Sequence, residues 1–257
     1  MYALFNKLGH AVDFLIPRAC PICDSPHSFG EENVICSDCE DSLERTQPPW
    51  CPSCGKPFRS PEALKFSPQH ICEECQNYPP SFDSARALGP FAGLFRELIH
   101  LMKYQGHTKI AVEMGTWLGQ LAEREINADS FPSQDELLIT FVPINRERWK
   151  RRGYDQSQVL AISAAKYLEL NCVKTLVRKK PSSSQTTLSA HYRKKNLKGV
   201  FAVKSPQTVL EKRILLIDDV LTTGSTASAC ARELKRSGAA SVDVLTVCHT
   251  ILRDLIS

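Results

Sequence analysis

The chain has 257 residues, of which 42% are apolar and 23% charged, and a formal net charge of +4. That length can bury a sizeable core and suits one large domain with a small one appended, and no apolar run approaches the ~18–20 residues of a membrane-spanning helix. Residues 1–80 carry 11 acidic against 6 basic side chains, a net of −5, so the remainder carries +9 and holds the basic character.

The first segment, "MYALFNKLGHAVDFLIPRAC", has the pattern of an amphipathic helix. Asp13 interrupts it and no small-residue cleavage site precedes the cysteines, so no signal peptide is expected and the expected location is cytoplasmic. Eight of the eleven cysteines then fall into four CxxC pairs: Cys20 and Cys23, Cys36 and Cys39, Cys51 and Cys54, Cys72 and Cys75. Two thiolates two residues apart can reach one tetrahedral zinc, and two such knuckles close a site with no place for water or substrate. Two structural Zn2+ ions are therefore expected, held either by successive ribbons or by an interleaved cross-brace. A redox role for one pair is the rival reading. The module, 1–80, is rich in turn residues and has little core of its own, so metal supplies much of its folding energy. Cys172, Cys230 and Cys248 lie in apolar patterns and read as packing residues.

From Ser81 the elements alternate. A strand near Ala85–Gly89 leads to helices near Leu94–Lys103 and Ile110–Arg124, then to strand Leu137–Val142 and a helix near Gln156–Leu170. Strand "VKTLVR", a basic loop, strand "RILLID", a helix and strand "VDVLTVC" complete 81–257. Such alternation predicts an α/β fold, a mostly parallel doubly wound sheet with helices on both faces.

The densest chemistry lies in "RILLIDDVLTTGSTASA". Four apolar residues, Ile214 to Ile217, read as a buried strand, with Asp218 and Asp219 at its end. Thr222, Thr223, Gly224, Ser225 and Thr226 form a loop before a helix. Ligands of open α/β sheets sit at the carboxyl ends of strands, and a helix N-terminus attracts phosphate. Two carboxylates can accept hydrogen bonds from vicinal sugar hydroxyls while loop amides and hydroxyls surround a monophosphate. A nucleoside-triphosphate P-loop is excluded, because no lysine stands in the loop. The alternative is an ordinary turn with Asp and Thr as caps.

This segment resembles the phosphoribosyl pyrophosphate (PRPP) loop of type I phosphoribosyltransferases. The rest of the chain resembles one branch of them, the ComF family of competence proteins: the Cys-rich start, "LMKYQG", "VPINRERWKRRGYDQS" and "QTTLSAHYRKKNLKGVF" occur in that order. Asp155 departs from the family pattern, which has Asn there. The resemblance implies PRPP, or a related sugar phosphate, bound with Mg2+. Asp218, Asp219 and Arg193 would form the catalytic set, and Thr222 to Thr226, Lys103 and Arg146 would contact the substrate. Residues 178–198 would be a flap in which Arg193 and Asn196 match the family.

Three functions stay open: a phosphoribosyltransferase with an unidentified acceptor, a non-catalytic PRPP-binding protein, and a single-stranded DNA handling protein acting in DNA uptake, with other uptake proteins as partners. Glutamine-dependent amide transfer is unsupported, since the chain begins Met1-Tyr2 without a cysteine nucleophile. The DNA reading rests on basic segments interleaved with aromatics. Residues 146–152 hold five bases against one acid, and 178–198 hold seven bases and no acid. Trp149, Arg151, Arg152, Tyr154, Lys194 and Lys195 are the candidate nucleic-acid contacts, with Tyr192 beside the last two.

Overall fold

The computed structural model describes residues 19–26, 33–58, 70–104, 106–128, 131, 137–179, 197 and 199–250. The start of the chain, where an amphipathic helix is expected, lies outside the described residues, as does the flap segment from 180 to 196. Two compact units divide the chain, Met1–Leu43 and Glu44–Ser257.

In the first unit the chain turns back through a bridge between Ala19 and Pro26, and a short helix, α1 (Ser37–Asp41), carries Cys39 inward. In the second unit a matching turn is closed by a bridge between Trp50 and Pro57, and α2 (Glu73–Asn77) carries Cys75. Both short helices begin directly after a cysteine.

The rest of the second unit is built on a parallel sheet. Its elements run β1 (Ser84–Pro90), α3 (Gly93–Tyr104), α4 (Thr108–Asn127), β2 (Leu137–Phe141), α5 (Arg146–Arg152), α6 (Gln156–Tyr167), β3 (Leu176–Arg178), β4 (Phe201–Val203), β5 (Arg213–Leu221), α7 (Ser225–Arg236) and β6 (Ser241–His249). The order is β1-β6-β5-β2, and all three pairings are parallel.

Side chains alternate across a strand, and both faces of this sheet are apolar. Ile214, Leu216, Val242, Val244 and Ala85 form one core with Ala227, Cys230, Ala231 and Leu234 of α7. On the alternate positions Leu215, Ile217, Leu245, Val247, Ile139 and Phe141 are buried, and α4 and α6 pack against the strands. Helices therefore cover both faces, as the alternation predicted. The two helices of the second face approach closely because α4 presents glycines. A Cβ on Gly115 would lie 2.5 Å from Ser163 Cβ, and one on Gly119 would lie 2.8 Å from Tyr167 Cβ. Cys230 and Cys248 are fully buried as expected, whereas Cys172 sits half-buried at a bridge to Ile139.

Three local differences from the sequence reading matter for function. The segment after Val142 is a loop of three residues followed by α5, started by Asn145, whose side chain accepts from Glu147 N–H, and ended by Gly153 in the left-handed conformation. Only Leu176–Arg178 of "VKTLVR" is a strand. It pairs antiparallel with β4, so the basic segment joins the two strands of a hairpin. Finally β5 continues through both aspartates to Leu221, because β6 keeps pairing with it as far as His249.

The edge strand β1 is covered by the segment that carries Cys51 and Cys54. Thr46 N–H donates to Leu88 O at 2.8 Å. Gly55, at φ +71, passes so close to the strand that a Cβ there would stand 2.3 Å from Ala85 O. Arg86 of β1 is 7% exposed. It donates to Glu125 Oε2 at 2.8 Å and to Pro52 O at 3.1 Å, with its guanidinium 5.3 Å from the Trp50 ring centroid. A purely apolar reading of the strands has no place for this buried arginine.

Candidate functional site

The eight paired cysteines separate into two clusters, Cys20, Cys23, Cys36, Cys39 and Cys51, Cys54, Cys72, Cys75, each with its sulfurs within 4.8 Å of one another. Zinc–sulfur bonds of about 2.3 Å in a tetrahedron put sulfurs about 3.8 Å apart. Cys23 and Cys36 are 3.6 Å apart and Cys54 and Cys72 3.7 Å apart, so both sets fit the metal. The pairing is first with second and third with fourth, which removes the cross-brace. An amide also supports the second cluster, Cys72 N–H lying 3.4 Å from Cys51 Sγ. With four thiolates per ion these centres are structural. Metal analysis of protein purified without chelator is expected to find two zinc ions per chain; one or none would contradict this.

At the carboxyl end of the sheet, the acidic pair is held by two different elements. Asp218 Oδ1 accepts from Ser157 Oγ at 3.0 Å, at the start of α6, and from Asp219 N–H at 2.9 Å. Asp219 Oδ2 is 2.7 Å from Lys103 Nζ in the last turn of α3. Burial, with Asp219 adjoining, pushes the Asp218 carboxyl up to about 7. A carboxylate placed this way gains from any ligand that brings hydroxyl donors or a cation.

Beyond the pair, Leu221 leads into the loop Thr222–Thr226 and then α7. The N-cap of α7 is Gly224 at φ 66, which offers no capping side chain to the first-turn amides. A helix started by a serine or aspartate would fill that place with its own oxygen. Here the first-turn amides have no capping side chain, and beside them the hydroxyls of Thr223 and Ser225 are 2.8 Å apart; amides, dipole and hydroxyls are donors of the kind an anion takes.

Beside the site lies a cleft of about 780 Å³ whose cationic lining is Arg146, Lys150, Lys174, Arg178 and Lys179, with Trp149. Trp149 is 50% exposed. Asp155 also lines the cleft, and Ser157, two residues on, donates to Asp218, so the cleft and the acidic pair adjoin. Arg146 thus belongs to the cleft wall, and Arg151 is exposed. Arg152 and Tyr154 point elsewhere. The Arg152 guanidinium lies 5.5 Å from the Tyr104 ring centroid and donates to Gln156 Oε1, and Tyr154 donates its hydroxyl to Met102 O. Both are engaged with α3 and its neighbours, while Trp149 is open to a base. Arg193, Lys194 and Lys195 lie outside the described residues.

Asp155 caps α6, accepting from Gln158 N–H at 3.4 Å, and also accepts from Ile144 N–H at 3.1 Å. Sequence reasoning did not single out Ser157, Lys174, Arg178 or Lys179 as site residues. Arg178 and Lys179 were visible only as members of a basic run, and nothing local distinguishes Ser157 from any other residue of a helix's first turn.

Comparison with known proteins agrees with both parts of the chain. The double zinc ribbon domain model matches residues 11–76. Over 240 residues the chain is 31% identical to the DNA utilization protein YhgH of Escherichia coli (strain K12), covering 92% of this chain and 99% of that protein. It is 29% identical over 215 residues to competence protein F of Haemophilus influenzae, covering 83% and 89%. Against competence protein ComFC of Streptococcus pneumoniae the figure is 24% over 220 residues, 84% and 88%. Among solved structures, a glutamine PRPP amidotransferase from B. subtilis overlaps 53% of this chain and 26% of its own, at 19% identity and a TM-score of 0.36. A hypoxanthine phosphoribosyltransferase from Staphylococcus aureus overlaps 52% and 62%, at 12% identity and a TM-score of 0.32. Near-complete alignment with YhgH, together with the two cysteine clusters, the parallel sheet and the acidic loop, makes the chain a member of the ComF family of competence proteins.

Proposed function

We propose that this protein binds PRPP with magnesium at the Asp218–Thr226 site and acts in DNA uptake by handling single-stranded DNA in the cytoplasm. The observation that carries the first part is the pair Asp218 and Asp219 immediately before a glycine-capped helix. The carboxylates accept from the ribose hydroxyls, and the loop amides and the hydroxyls of Thr222, Thr223, Ser225 and Thr226 hold the 5′-phosphate. Lys103 and Arg146, with Arg193 from the flap, supply positive charge for the pyrophosphate, whose departure from the anomeric carbon is helped chiefly by positioning and electrostatics. Calorimetric titration with PRPP and magnesium tests this site. Transfer to an acceptor is the second reading, favoured by the same acidic pair. Of the domain division, we take 1–80 as the ribbon module and 81–257 as the phosphoribosyltransferase-like domain.

The DNA role draws on the relatives that are named for DNA utilization and competence and on the cationic cleft with its exposed tryptophan. A single strand is held by cationic grooves and by aromatic side chains on which bases stack. The acidic segment 1–80 is a poor surface for phosphates. If about five phosphates are neutralised, log affinity falls with log salt at a slope of about −3 to −4. Trp149→Ala is expected to weaken binding by about 1–3 kcal/mol at unchanged slope, and Lys194→Ala with Lys195→Ala to flatten the slope. Fluorescence anisotropy with a labelled oligonucleotide measures both, and an affinity untouched by all three changes would remove DNA from the account.

A further inference from the structure

One short turn reaches each of the elements that carry the acidic site. Where α5 gives way to α6, residues 154–157 send Tyr154 to Met102 O at the end of α3, Asp155 to Ile144 N–H in the loop after β2, and, from the first turn of α6, Ser157 to Asp218 on β5. Met102 immediately precedes Lys103, whose ammonium bonds Asp219. The two carboxylates are thus held from the same turn by separate routes, a direct hydroxyl donor to Asp218 and a support for the lysine that pairs with Asp219. Ser157 is 7% exposed, so its hydroxyl sits in a place where a donor to a carboxylate is worth more than it is at the surface. Close packing of α4 on α6 at Gly115 and Gly119 fixes the helix from which Ser157 projects.

We propose that Ser157 and Tyr154 are positioning residues of the acidic pair, Ser157 fixing the Asp218 carboxylate through its hydroxyl and Tyr154 seating the end of α3 that delivers Lys103. This extends the PRPP reading and rests on it for the meaning of the acidic pair, but the geometry stands without ligand. The groups acting on Asp218 come from every neighbouring element. Burial and Asp219 on its own strand oppose its charge, while Ser157 on α6 and Lys103 on α3 favour it, as does Arg178 on β3; the Cys230 thiol of α7 is kept neutral by burial and by Asp218 itself. Among them Ser157 makes the side-chain hydrogen bond. Its removal has a signature that a merely structural residue lacks, namely a change in the protonation of one particular carboxyl.

The test is titration of Asp218 by NMR of aspartate carboxyl carbons in the zinc-loaded, unliganded full chain. Ser157→Ala is expected to raise the Asp218 midpoint by about one pH unit or more, the size of one hydrogen bond to a charged group. Ser157→Thr, which keeps the hydroxyl, restores it. Tyr154→Phe raises the same midpoint by less, through a loosened Lys103. Should Ser157→Ala fail to fold, Ser157→Cys serves in its place, since a thiol fills the space and donates weakly. A folded Ser157→Ala or Ser157→Cys protein with the wild-type midpoint overturns the proposal. Failure of wild-type protein to bind PRPP would instead strike the proposed function, leaving the titration result to stand.

Discussion

Replacing Cys51 and Cys54 with serine is expected to lower the thermal midpoint of the sheet itself. The cysteine module read from sequence stands apart from a sheet that carries its own apolar strands, which suggests that the ribbon could unfold and leave the sheet intact. The second cluster, however, is tied to the sheet by direct contacts. It belongs to the same compact unit as the sheet, and its knuckle sets Gly55 against Ala85 and Pro52 O against Arg86. With two of its four ligands gone the cluster no longer holds zinc, and the knuckle opens. The Arg86–Glu125 pair, 8% and 9% exposed at the side chains, then loses the Pro52 carbonyl and the Trp50 ring. The edge of β1 loses its cover as well. Losing a hydrogen bond to a buried charged group and a cation–π contact costs about 2–4 kcal/mol, or roughly 10 °C for a unit of this size at about 2–4 °C per kcal/mol. Cys20→Ser with Cys23→Ser is the comparison. It removes the cluster of the other unit and is expected to leave the transition of residues 44–257 in place, because every support named here lies within them. Scanning calorimetry of both variants distinguishes the two sites, and equal shifts would contradict the coupling.

The second large effect is expected at the acidic pair. Asp218→Asn with Asp219→Asn should weaken PRPP binding by about 2–4 kcal/mol, since each amide offers one neutral acceptor where a carboxylate makes charged hydrogen bonds to a ribose hydroxyl. Wild-type affinity should also depend on pH with a definite sign. Asp218 is pushed up to about 7, so below that pH it is protonated and a poorer acceptor; affinity therefore rises as pH increases through about 7 and levels above it. The double variant loses that dependence. Calorimetry across pH 6 to pH 8.5 measures both effects, and equal binding by the variant would remove the acidic pair from the site.

The sheet strands were legible because both faces are buried, which leaves unbroken apolar runs such as Ile214–Ile217. The zinc ligands were legible because thiolate spacing is local, but their partition was not, since it depends on where the chain between the pairs travels. Asp218, Asp219 and the glycine loop announced themselves through composition at a strand end. Lys103 was named through family resemblance as a substrate contact, and the structure pairs it, at the end of α3, with Asp219. What stayed hidden depends on contacts between distant segments. Ser157 lies 61 residues from Asp218, and Arg86 lies 39 from Glu125; neither distance is written in any periodicity. Tyr154 and Arg152 read as surface groups for DNA because an aromatic among arginines suggests a stacking platform. The turn that ends α5 at Gly153 instead directs them towards α3.

Titrating PRPP into zinc-loaded wild-type protein at pH 8, with and without magnesium, decides whether the Asp218–Thr226 loop is a PRPP site. One saturable site per chain that requires magnesium is the predicted result. An absence of saturable binding at millimolar PRPP and magnesium, in protein whose zinc content is complete, would contradict it.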